Sequence, residues 1–329
     1  MKAVVYTRYG SPDVLRLADV QTPTPKDNEV LVKVRAVSLN ASDWEGLRGK
    51  PAYARIGGLR RPRRHILGSD IAGQVDAVGR QAKVFQPGED VFADNLGALG
   101  GFAEYVCVPE TALARMPSGM TYEEAAALPQ AGAIALHGIR DKGQIQSGQR
   151  VLINGAGGGS GTYAIQLAKL DGAEVTGVDN PEKLAFMRSV GADHVIDYTR
   201  EDFTRNGQTY DLILDLAAHR SVFAYKRSLA PGGRFLYVGG SVPTLFGVLL
   251  VGPMVGRIAD KKVRVLAVRL GVRHLAPIVE LCQTGKITTI IDRRYRLNEV
   301  PEAMRYLGEG HAKGKVVVLV DEPADCDTT

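Results

Sequence analysis

The sequence predicts an α/β protein in which a small β-barrel is followed by a doubly wound parallel sheet. Three observations predict it. Short alternating strands, punctuated by glycine and proline, crowd the first 110 residues. From Arg150 onward, strand and helix patterns alternate. A glycine-rich turn joins the first strand of that second series to its helix. The length of 329 residues suits two domains. With 45% hydrophobic and 23% charged residues there is ample core material, which excludes a wholly disordered polymer. Cys107, Cys282 and Cys326 are odd in number and scattered. That excludes a disulfide framework and a four-cysteine zinc lobe, and fits a reducing compartment.

The chain opens on a strand-like run, Lys2–Thr7, with no charged and apolar leader before it, so a cytoplasmic protein is expected. Glu29–Val37 alternates at strand period. Ile71–Gly79 reads as a second strand, Gln86–Ala93 as a turn launching a third, and Gly101–Pro109 as a fourth. Thr121 stands three before Glu124, a capping-box signature for a helix through the alanines that follow. Strands are then expected at Val151–Asn154, Glu174–Val178, His194–Asp197, Tyr210–Asp215, Arg234–Val238 and Val263–Val268. Helices are expected at Gly161–Leu170, Pro181–Val190 and His219–Leu229. Pro181 suits a first helical position, where its missing N–H would have had no partner. Helices near Leu275–Cys282 and Val300–Leu307, a last strand at Lys315–Val320 and a frayed acidic tail, Asp321–Thr329, complete the reading.

A net charge of +5 is a weak excess for this length. Arg55, Arg60, Arg61, Arg63, Arg64 and His65 cluster, but only Tyr53 is an aromatic neighbour, so no nucleic-acid partner is expected. The cluster reads as a solvated loop or the rim of an anionic-ligand pocket. Phe235–Gly256 is uncharged and long enough to span a bilayer, yet it carries five glycines and two prolines. It reads as a buried strand followed by an apolar connection or interface segment, and no membrane span is expected.

The most informative segment runs from Val151 to Ala168. It contains A-x-G-x-x-G, with Ala156 first, Gly158 second and Gly161 third. A side chain at the second position would block a pyrophosphate from the backbone, and one at the third would hold helix off strand. Gly159 and Ser160 sit at the helix amino terminus, whose unpaired N–H groups attract phosphate. Asp179 follows 18 residues past Gly161, where a carboxylate would bind an adenosine ribose and repel a 2′-phosphate. NAD(P)H is therefore the expected cofactor, NADH slightly ahead of NADPH. Lys183 reads either as a cation for a phosphate or as an ordinary helix lysine.

These residues, together with Asn40-Ala-Ser-Asp-Trp44, Leu67-Gly-Ser-Asp-Ile-Ala-Gly73, Pro87-Gly-Glu-Asp-Val91 and Gly101-Phe-Ala-Glu-Tyr105, resemble the medium-chain dehydrogenase/reductase superfamily, in particular its zinc-independent quinone oxidoreductase branch. The resemblance implies a GroES-like catalytic domain over residues 1–123, rejoined by 269–329, and a Rossmann domain over 124–268, with the active site between them. It implies a homodimer that pairs the edge strands Val263–Val268. It places the backbone of Gly239 and Gly240 at the nicotinamide ribose and Val268 near the carboxamide. Tyr198 reads as a border of the adenine or as a turn residue. In zinc-dependent members a cysteine stands at what is here Asn40, a glycine-histidine-glutamate triplet at Gly68-Ser69-Asp70, and a further ligand near Gln130-Ala131. None of those ligands is present here, so no zinc is expected.

Without a metal to stabilise an alkoxide, the site suits an acceptor that spreads its own charge, a quinone or an alkene conjugated to a carbonyl. Asn40 offers an amide donor from the loop after the first long strand. Asp43 fixes that loop or a neighbouring cation, or acts directly in catalysis. Tyr53 reads as a phenolic donor or a loop anchor. Two other functions stay open at this point: a reductase of simple aldehydes or ketones, and a dinucleotide-binding sensor or nucleic-acid binder with little turnover.

Overall fold

The structure, a computed structural model, describes residues 1–55, 58–269 and 271–320, with side chains for all but 256–259. The tail Asp321–Thr329, and with it Cys326, lies outside the described residues. The chain forms two compact units. One holds Met1–Gln130, Arg269–Gln283 and the chain from Ile291 onward; the other holds Ala131–Val268 and Thr284–Ile290.

In the first unit β1 (Lys2–Val5) pairs antiparallel with β2 (Arg16–Asp19). The long β3 (Glu29–Ser38) is its spine. The expected loop after β3 is instead a helix, α1 (Ala41–Arg48). Asp43, three residues after Asn40, takes the Asn40 backbone N–H on its side chain at 2.9 Å, and this starts the helix. Then follow β4 (Asp70–Val78), β5 (Asp90–Asp94), β6 (Tyr105–Pro109) and β7 (Leu113–Arg115). Next comes α2 (Tyr122–Ala127), opened by the Thr121–Glu124 capping box, and the chain passes into the second unit at Ala131, within α3 (Pro129–Leu136).

After α3 the second unit runs through β8 (Arg150–Asn154), α4 (Gly159–Leu170), β9 (Glu174–Asp179), α5 (Leu184–Val190), β10 (His194–Asp197) and β11 (Tyr210–Asp215). It continues through α6 (Val222–Ser228) and β12 (Leu229–Tyr237). β12 starts earlier than expected because Leu229 pairs with Tyr210 while Arg234 pairs with Leu212, so Pro231-Gly232-Gly233 bulges from the ladder. The segment expected as an apolar connection folds into two helices, α7 (Val242–Leu250) and α8 (Gly252–Ala259). Ser241 caps α7 by accepting the Thr244 N–H, and the early Pro243 is harmless there. β13 (Lys262–Val265) closes the sheet, starting one residue before the expected strand and ending three residues before its expected end. The strands are all parallel in the order β10-β9-β8-β11-β12-β13, which puts the reversal of strand order between β8 and β11. Buried β8 and β11 are nearly continuous apolar runs, as strands covered on both faces must be. Among the described residues no helix is long and apolar enough to cross a membrane.

The chain returns to the first unit through α9 (Ala276–Gln283), β14 (Ile291–Arg296), α10 (Val300–Gly308) and β15 (Lys315–Leu319). β15 pairs with β3, completing a seven-stranded sheet in the order β14-β15-β3-β4-β5-β7, with β6 on β3. This brings the first residue of β15, Lys315, against the start of α1.

Candidate functional site

In the second unit β8 ends at Asn154 and the chain turns through Gly155, whose φ of +81° strains any residue with a Cβ. The tight-turn position is thus Gly155, not Ala156. Ala156 is fully buried and helps pack the turn. Gly158 caps α4, and a Cβ built there finds only the Gly155 carbonyl, at 3.5 Å. That open space lets a ligand approach the backbone. At Gly161 a Cβ would collide with the carbonyl oxygens of Ala156 and Gly155, so glycine alone lets α4 sit on the turn. Gly159 and Ser160 form the first turn of α4, which holds no acid. These features fit a dinucleotide pyrophosphate.

Asp179, the last residue of β9, is turned inward. Its Oδ2 accepts the Gly157 N–H at 3.0 Å and its Oδ1 the Asn180 N–H at 2.8 Å. Lys183 Nζ lies 3.4 Å from the same carboxylate, and both side chains are buried. The acid expected to face a ribose therefore braces the glycine turn, with a lysine neutralising it. Lys183 is no ordinary surface lysine. Tyr198 is half exposed just beyond β10, its N–H donating to the Asp179 carbonyl. Gly239 and Gly240 follow β12 and zip onto Ala218: the Ala218 N–H donates to the Gly239 carbonyl at 2.8 Å. A Cβ on Gly240 would strike the Ala218 carbonyl. Val268 lies half buried three residues past β13. Where the strand order reverses, Asn154 Nδ2 donates to Asp215 Oδ1 at 2.7 Å. Burial pushes the Asp215 carboxyl up to about 6 against that hydrogen bond.

The first unit holds a buried polar cluster at the start of α1. Lys315 Nζ donates to Asn40 Oδ1 at 2.7 Å and to the Leu39 carbonyl at 3.2 Å. Asn40 Nδ2 faces Ser69 Oγ at 3.4 Å, and Gln130 Nε2 donates to the same oxygen at 2.6 Å. Gln130 also reaches both oxygens of Asp70. Asp43 has both oxygens engaged by backbone, the Asn40 N–H and the Gly68 N–H at 3.0 Å. That makes it a clamp between α1 and the chain entering β4. Burial pushes the Asp43 carboxyl up to about 6. Burial also raises Asp70 and Asp94 and lowers Lys315. Tyr53 is more than one-third exposed in a single 3-10 turn, and its hydroxyl donates to Glu45 Oε1 at 3.2 Å. Arg60, Arg61, Arg63 and Arg64 are exposed, whereas Arg55 stacks on Tyr9.

Asn40, Ser69 and Gln130, far apart in sequence, are brought together as the resemblance requires of ligand positions. They do not fit zinc. All three are neutral and engaged in hydrogen bonds, and the Lys315 ammonium stands at Asn40 where a metal would demand anions. Among the described residues no group of three His, Cys, Asp or Glu could hold a metal ion. Lys315 was the residue missed by reading the sequence. Its one signal there is a lysine opening the otherwise apolar last strand, Lys315-Val-Val-Val-Leu319.

Fold and site together define a two-unit nucleotide-dependent oxidoreductase. Residues 26–118 match the model of the alcohol dehydrogenase GroES-like domain, and residues 190–318 that of the zinc-binding dehydrogenase. The chain is 33% identical to the chloroplastic quinone-oxidoreductase QR1 of Triphysaria versicolor, over 97% of this chain and 98% of that one. It is 32% identical to the chloroplastic NADPH-dependent alkenal/one oxidoreductase of Arabidopsis thaliana, over 97% and 79%. The solved quinone oxidoreductase of Coxiella burnetii superposes with a TM-score of 0.84 at 28% identity, covering 98% of this chain and 99% of that one. The chain belongs to the medium-chain dehydrogenase/reductase superfamily, in its quinone oxidoreductase-like branch, and is an oxidoreductase.

Proposed function

We propose that this enzyme reduces quinones or carbonyl-conjugated alkenes with NAD(P)H and without zinc. The observation that carries this reading is the cluster at Asn40, where amides, a hydroxyl and a buried ammonium stand at the metal-ligand positions. The names of the relatives support the acceptor class. Bound NAD(P)H supplies a hydride. The glycine turn at Gly158 and Gly161 and the amino terminus of α4 hold the pyrophosphate. Tyr198, Asp179 and Lys183 border the adenosine half; Gly239, Gly240 and Val268 border the nicotinamide half. Because Lys183 offsets Asp179, NADH is favoured only slightly over NADPH.

On the acceptor side, Asn40 Nδ2 donates to the oxygen on which charge develops, and Tyr53, held by Glu45, delivers a proton. Asp43 keeps α1 and Asn40 in place. For an enone the sum is enone, NAD(P)H and H⁺ giving the saturated ketone and NAD(P)⁺; a quinone gives the hydroquinone. The reading includes a homodimer paired at β13 and a cytoplasmic location, the latter supported by three scattered cysteines that suit a reducing compartment. The test is oxidation of NADH and NADPH against a naphthoquinone, an enone and a simple aldehyde, before and after exhaustive chelation. Quinone and enone turnover should survive chelation. Turnover of the aldehyde alone, or one zinc per chain lost together with activity, would overturn it.

A further inference from the structure

We infer that Lys315 is a positioning residue for the reaction: its buried ammonium fixes and polarises the Asn40 amide so that only N–H faces the acceptor's oxygen. The inference rests on the reading of Asn40 as the donor to that oxygen. An ammonium has donors and no acceptor, so the Asn40 atom 2.7 Å from Nζ must be the amide oxygen. The flip of the side chain is thereby decided, and Nδ2, the donor end, is turned toward Ser69 and Asp70. Lys315 is itself immobilised. Its Nζ also holds the Leu39 carbonyl, and the next residue of β15, Val316, accepts the Leu39 N–H at 2.9 Å. Asn40 is pinned from the other side by Asp43. Nδ2 has Ser69 Oγ only at 3.4 Å, and that oxygen already takes a 2.6 Å bond from Gln130. A long, weak contact is readily exchanged for an oxyanion.

A cation on the carbonyl end withdraws electron density from the amide and strengthens its N–H donors, and a buried network transmits this better than water would. Lys315 in this way takes over part of a metal's electrostatic role through one intervening amide. The groups facing it are Asp43 on α1, Asp70 on β4 and, beyond them, Asp94 on β5. Burial lowers the Lys315 pKa, so the cation is lost on the alkaline side earlier than an ordinary lysine would lose it.

The experiment compares Asn40→Ala, Lys315→Met, Lys315→Arg and the double variant Lys315→Met/Asp70→Asn, the last removing with the cation the carboxylate charge that faces it from β4. Thermal melts and NAD(P)H fluorescence titration check folding and cofactor binding. Asn40→Ala should lower kcat for an enone about 100-fold, the scale of one lost oxyanion donor. Lys315→Met and the double variant should come within about threefold of it, and adding Asn40→Ala to Lys315→Met should cause no further loss. The kcat–pH profile should show an alkaline limb that moves to higher pH in Lys315→Arg, whose guanidinium stays charged. Binding of 4-nitrophenolate, an oxyanion probe read by absorbance, should weaken in parallel in Asn40→Ala and Lys315→Met. If Asn40→Ala is as active as the parent, the reading of Asn40 fails. If Asn40→Ala is crippled while folded Lys315 variants keep kcat, probe affinity and pH profile, the role of Lys315 is overturned.

Discussion

The carboxylate of Asp179 faces the glycine turn, with the Gly157 N–H on one oxygen and the Lys183 ammonium 3.4 Å away. Two charges that cancel in this way leave little field to repel a 2′-phosphate, whereas the lysine alone would attract one. Asp179→Ser frees the cation. The ratio of kcat/KM for NADPH to that for NADH should then rise about tenfold, the factor that one unit of pKa-scale interaction energy provides. Steady-state kinetics with both cofactors checks this, and an unchanged ratio would mean the pair does not border the adenosine ribose. Asp43 shows the same economy of contacts: each oxygen satisfies a buried N–H, so it clamps the start of α1 to the chain entering β4.

Among the elements, β13 is one of the two edge strands of the parallel sheet, opposite β10. The Leu266 N–H points inward to the Tyr237 carbonyl, so by strand alternation the N–H groups of Val263 and Val265 point to the free edge. Donors that point away from the sheet on an edge strand invite a second strand. Light scattering at micromolar concentration should give the mass of a dimer. Val265→Pro, which removes one outward donor while sparing the inward ladder, should halve that mass and leave cofactor binding intact. A parent monomer, or a Val265→Pro dimer, would rule out pairing at this edge. The short helices α7 and α8 flank the same strand and expose Phe246, Leu249, Leu250 and Met254, an apolar group on this side of the second unit.

Across the whole molecule, four buried carboxyls are raised by desolvation: Asp43 and Asp215 to about 6, with Asp70 and Asp94 in the same direction. A raised carboxyl means the native state binds protons more tightly than the unfolded chain. The stability it contributes is therefore full below about pH 4 and is lost as pH rises through about 6. Surface aspartates such as Asp193 and Asp202 are lowered despite some burial, by hydrogen bonds and basic neighbours, and act in the opposite sense at lower pH. The melting temperature should accordingly rise between pH 7.5 and about 5.5 before falling in stronger acid. A steady fall from pH 7.5 downward would show that these carboxyls are ionised in the native state.

The alternating strands, the Thr121–Glu124 cap and the glycine turn were legible in the sequence because each depends on residues a few positions apart. Periodicity and capping are local physics, and with them came the fold class and the cofactor. Even so, the tight turn fell on Gly155 rather than Ala156, because only a backbone angle distinguishes them. The inward turn of Asp179 and the bulge in β12 depended on neighbours across the sheet. The buried polar cluster at Asn40 was the least legible part. Asn40 and Lys315 stand 275 residues apart, joined only where β15 returns to β3. A single lysine in an apolar strand carries no mark of its partner. What the sequence determined was therefore the class of fold and the cofactor. Tertiary structure alone decided which charges share the buried site, because burial and long-range pairing set the worth of a charge.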